Sequence, residues 1–101
     1  MNFTPKRASE IEVFTVDFAP LLAPGETISS PTWTVSVVNG IDENPNAMVT
    51  GPASVNGTTS SQKLALGVPG NLYAPICTAQ TSLGQTLVLP EAGQGLLYIS
   101  Q

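Results

Sequence analysis

Hydrophobic and polar positions alternate with period two along much of the chain. In residues 32–38, TWTVSVV, Trp33, Val35 and Val37 point one way and Thr32, Thr34 and Ser36 the other. That is the pattern of a strand with one buried face. Residues 10–18, EIEVFTVDF, place Phe14, Val16 and Phe18 on one face and Ile11 and Val13 on the opposite one. A first strand with both faces partly covered is expected there. TISS, residues 27–30, predicts a short strand ended by Pro31, and AMVT, residues 47–50, another short strand or extended edge. The stretch 64–90, LALGVPGNLYAPICTAQTSLGQTLVLP, predicts three more strands at 64–68, 72–81 and 86–89. LLYIS, residues 96–100, predicts a last, apolar one. The segments between carry turn formers: APLLAPGE, NGIDENPN, Asn56-Gly57 and SLGQ. No segment sustains a helical period.

Seven or eight short strands of this kind predict an all-β fold, an immunoglobulin-like two-sheet antiparallel sandwich. Its inter-sheet core is expected from Phe14, Val16, Phe18, Ile28, Trp33, Val35, Leu64, Leu66, Tyr73 and Cys77. Tyr73 follows the turn VPGN, which suggests a tyrosine corner, its hydroxyl bonding back to the chain upstream. Three parts are expected: an N-terminal arm at 1–9, the sandwich at 10–90 and a C-terminal extension at 91–101. The arm has little apolar content, so a neighbouring subunit is expected to order it. Leu96, Leu97, Tyr98 and Ile99 are four consecutive apolar residues, so both faces of that strand need shelter. A neighbouring chain is the expected source; the alternative is an eighth strand that closes this domain's own edge. Phe3, Leu96, Leu97, Tyr98 and Ile99 are therefore the candidate partner-binding residues.

Composition narrows the function. The chain has 101 residues, one domain's worth, and only 10% are charged. That is far below the roughly 25% of an average soluble domain. Residues 64–90 carry no charge at all. Their prolines, glycines and polar residues exclude a membrane-spanning helix. With three basic residues and a net charge of −4, neither a nucleic-acid surface nor a polybasic membrane patch is expected. The N-terminus MNFTPKRASE has no apolar signal core, so synthesis in a reducing cytosol is expected.

Candidate chemistry is sparse. There is no histidine, which removes the usual general base and the common triads. The single Cys77 can form no internal disulfide and reads as a small core residue. Glu10 and Glu12 share a strand face and read as a solvated pair rather than glycosidase carboxylates. Asp42, Glu43, Asn44 and Asn46 could offer oxygens to calcium, but their spacing is that of an Asx-rich turn. Asp17 interrupts an apolar strand, either facing solvent or accepting hydrogen bonds at the strand's end. No catalytic residue, metal site or cofactor is expected.

Several pieces line up in order: Phe14-x-Val16-Asp17-Phe18-x-x-Leu21-Leu22, then Gly25-Glu26-Thr27-Ile28, Trp33-x-Val35, Leu66-Gly67-x-x-Gly70-x-x-Tyr73 and Thr81-Ser82-x-Gly84. This order resembles that of small tailed-bacteriophage and prophage virion proteins of immunoglobulin-like fold, the fibre–tail adaptors and head/neck accessory proteins. The resemblance spans residues 14–87. It implies a non-enzymatic virion subunit, synthesised in the bacterial host and present in many copies or as a homo-oligomer. Its partners would be capsid, connector, tail or fibre proteins. Relatives carry charged residues in the last strand and stop soon after it. Here TLVLP is followed by EAGQGLLYISQ. The alternative is a binding module of the same fold that recognises a host-surface glycan or protein through exposed aromatics and the loop 42–46.

Overall fold

The computed structural model describes Phe3 and residues 5–90 and 95–100. Eight strands follow in chain order: β1 (Lys6–Arg7), β2 (Glu12–Asp17), β3 (Ile28–Asn39), β4 (Val49–Asn56), β5 (Thr59–Leu64), β6 (Leu72–Thr81), β7 (Thr86–Leu89) and β8 (Leu97–Ser100). They form two sheets, β1-β8-β6-β3 with β7 also on β6, and β2-β5-β4. Every pairing is antiparallel except β1 with β8. The all-β sandwich expected from alternation is what forms, and it fits an immunoglobulin-like arrangement.

Alternation fixes the core. Trp33 and Val35 of β3 and Tyr73, Cys77 and Ala79 of β6 face Phe14 and Val16 of β2 and Leu64 of β5 across the sandwich. Phe18 and Ile28, at the ends of the β2–β3 connection, complete it. Trp33 Nε1 donates to Ser60 Oγ of β5 at 3.0 Å, so the largest core ring also ties the two sheets through a buried hydrogen bond. Burial raises the Cys77 thiol above its ordinary pKa, against a weaker opposing hydrogen bond from Ser60. Gln62, buried beside them, directs Nε2 at the carbonyls of Thr50 and Gly51. Those carbonyls lie where β4 shifts register against β5.

Four expectations are corrected. β8 belongs to this domain's own sheet. β6 is ten residues long but β7 covers only Cys77–Gln80, so the edge beside Leu72 and Tyr73 is open. β8 fills it, pairing Tyr98 with Leu72 and Leu97 with Tyr73. The arm likewise stays in the domain. β1 pairs with Ile99 and Ser100, and the Phe3 ring meets Phe14 edge-on at 5.1 Å. The remaining parts of the arm and extension, residues 1, 2, 4, 91–94 and 101, lie outside the described residues. Pro31 does not end a strand. β3 runs through it over a bulge, with Ser30 at φ 47 and the register slipping between Ser29 and Thr32. A residue without an N–H is tolerated there. Finally, the strand expected at 64–68 does not form and Leu66 is not in the core. β5 spans Thr59–Leu64, ending where that stretch begins, and Leu66 sits exposed in the loop that follows.

Candidate partner-binding surfaces

Tyr73 organises one end of the sandwich. Its hydroxyl accepts from the Val68 N–H at 2.9 Å, five residues upstream, and donates to Asp42 Oδ2 at 2.8 Å. Asn71 Nδ2 reaches the same hydroxyl and donates to the Ile41 carbonyl at 3.0 Å. The loop before β6 is thereby locked to the loop after β3. Burial, reinforced by the Asp42 carboxylate, raises the Tyr73 phenol above its ordinary range. Asp42 Oδ1 meanwhile accepts the Asn44 N–H at 3.0 Å, an Asx turn that uses the oxygens once considered for calcium. Among the described residues no group of three or more metal-ligating side chains comes together, and no helix is long and apolar enough to cross a membrane.

Lys6 is the second organiser, and no local sequence pattern marks it. Fully buried, its ammonium donates to the carbonyls of Arg7 (2.7 Å), Glu10 (2.8 Å) and Leu66 (2.7 Å). Desolvation lowers its pKa, while the carboxylates of Glu12 and Glu10 pull the other way. Glu10 is held below its ordinary value mainly by the Arg7 N–H on its Oε1. Glu12 is raised, first by burial and then by Glu10. At the opposite end, Asp17 accepts from the Ala19 N–H and from Thr58 Oγ1, the strand-end role foreseen as one of its two options.

The candidate partner-binding residues divide. Leu97 and Ile99 are fully buried in this domain's own core. The Leu96 carbonyl accepts the Phe3 N–H at 3.0 Å, and Phe3 itself is half-buried against the core. Tyr98 alone of the five points outward, 42% exposed. Trp33 and Tyr73, by contrast, are core aromatics.

Tyr98 lies on the outer face of the five-stranded sheet, and that face accounts for the uncharged stretch. β6 sends Leu72, Ala74, Ile76, Thr78 and Gln80 outward, opposite its buried residues. Their cross-strand partners are Ser36, Thr34 and Thr32 on β3, Val88 and Thr86 on β7, and Tyr98 on β8. None carries a charge. Arg7, opposite Ser100 on β1, marks the edge. The outer face of the other sheet differs, since Asp17 and Lys63 alternate outward from its strands.

A family model described as podophage GP4 fiber-tail adaptor protein gp77 matches residues 6–89, over four-fifths of the chain. The chain belongs to this family. The match begins with Lys6 and ends with β7, so the fibre–tail adaptor family covers every strand except β8. Searches of curated proteins and of solved structures found no match.

Proposed function

We propose that the protein is a non-enzymatic structural subunit of a phage virion, an adaptor between tail and fibre components present in several copies. The observation that carries this reading is the uncharged outer face built by β3, β6, β7 and β8. Charged side chains are depleted at the centres of protein interfaces. A face of half-buried Leu72, Ala74 and Ile76 among Thr and Ser side chains suits burial against a neighbour. Family membership supplies the context: a fibre–tail adaptor acts by binding other virion proteins.

The test has two steps. Mass spectrometry of purified particles should find the chain in stoichiometric amount. Thr34→Lys, an exposed change on β3 directly opposite Ile76 of β6, should leave the isolated chain folded and lower its incorporation at least tenfold. Absence of the chain from particles would refute the adaptor reading. Normal incorporation of Thr34→Lys would move the interface elsewhere.

A further inference from the structure

The sandwich end where β3, β5 and β8 finish exposes four aliphatic side chains: Ile41, 85% exposed, with Ile11, Leu66 and Val68. Two hubs gather them. The Lys6 ammonium binds the carbonyls of Leu66 and of Glu10, which precedes Ile11. The Tyr73–Asn71 pair binds the Val68 N–H and the Ile41 carbonyl. The loop 66–68 joins the hubs, so the chain segments that carry the four residues are held together at one end. The fold does not require them to be apolar. Leu66 even holds φ at 58, a conformation that asparagine or glycine adopts more readily. Exposed apolar patches rimmed by polar groups mark interaction sites.

The rim indicates what covers the patch. Glu10, Glu12, Asp42 and Glu43 lie at this end, against two exposed cations, Arg7 and Lys63, the latter cross-strand to Val13 beside Glu12. Lys6 is buried and spends its ammonium on backbone carbonyls, so the exposed rim is net acidic. A second copy of the chain would bring acid to acid. Complementary potentials favour a partner of the opposite sign. Resting on the adaptor reading, we infer that this end docks a second protein partner, whose apolar contact centre is bordered by Lys and Arg side chains. The uncharged sheet face would hold the first.

The experiment uses particles assembled with the full-length chain. Ile41→Asn combined with Leu66→Asn removes the apolar centre with residues that suit both loops, and Ile41→Asn alone guards against misfolding. Both variants should keep the parent's thermal midpoint and lose at least tenfold in occupancy. Glu43→Lys should lower occupancy several-fold, and more than Glu43→Gln does. A photo-crosslinking residue at position 41 should link to a peptide with Lys or Arg within a few residues of the site. Normal occupancy of the folded Asn variants would overturn the inference. So would an inert Glu43→Lys, or crosslinks only to another copy of this chain or to an acidic segment. If the parent chain is missing from particles, the adaptor reading itself fails. If the parent is present and only Thr34→Lys is lost, the loop-end inference fails alone.

Discussion

At the scale of single residues, Tyr73 and Trp33 were legible in sequence because each reports on its own strand. Trp33 alternates with Val35, and Tyr73 follows a turn that its hydroxyl can reach. Trp33→Ala is expected to cost about 3–5 kcal/mol in denaturant unfolding, since the ring is buried and Ser60 loses its donor. Tyr73→Phe keeps the ring but leaves the Val68 N–H and Asp42 without their partner, a loss of about 1–3 kcal/mol. Tyr73 also sets an alkaline limit. Its phenol titrates higher in the fold than its ordinary 10.0, so the unfolded chain releases the proton first. Tyr73 then contributes stability that is complete below pH 10 and is lost as pH rises through the folded value. Cys77, raised from 9.0, acts in the same direction. Thermal midpoints recorded from pH 8 to 11 should fall, and less steeply in Tyr73→Phe. Lys6 and Leu66 were illegible for the opposite reason. A lysine that binds a carbonyl sixty residues away, and a leucine turned out by a positive φ, depend on loop closure that no local pattern encodes.

At the scale of elements, the pattern located β2, β3, β6, β7 and β8 but not their sheet membership, and it missed β1 and β5, the latter's residues Thr59–Leu64 ending where the strand expected at 64–68 begins. The length mismatch between β6 and β7 was the available signal for β8: ten residues cannot be covered on one edge by four. Gly67, at φ 96, lets the β5–β6 loop lie against Ile99, where even a methyl group would come within 2.8 Å of Cδ1. Ile99→Ala should therefore cost about 2–5 kcal/mol. The Ile99 amide donates to the Asn71 carbonyl at 3.1 Å. Hydrogen exchange should find it protected in the isolated chain, before any assembly. Rapid exchange there would return β8 to a neighbouring subunit. Deleting residues 95–101 should unfold the domain. Leu97 and Ile99 together bury side chains worth about 3–6 kcal/mol, a large share of the 5–15 kcal/mol that typically stabilises a domain.

At the scale of the whole molecule, the spare charges are sorted by surface. The five-stranded sheet's outer face has none except Arg7 at its margin, while the loop end joins exposed aliphatics to acidic neighbours. The first pattern was visible as the uncharged stretch 64–90. The second was not, because Ile11, Ile41, Leu66 and Val68 come from three separate connections. An adaptor needs two separable contacts, and this sorting predicts how they separate. Thr34 lies opposite Ile76 on the sheet while Ile41 is held by Asn71 in the loop after β3, and effects at distant sites without shared partners usually add to within about 0.3–0.5 kcal/mol. In binding assays with purified virion proteins, Thr34→Lys should abolish binding to one partner and spare the other. Ile41→Asn should show the reverse, and the double variant should bind neither. Both changes are at exposed positions, so each should alter folding stability by no more than about 0.5 kcal/mol. A single partner lost equally in both variants would join the two surfaces into one continuous interface and remove the basis for a bridging role.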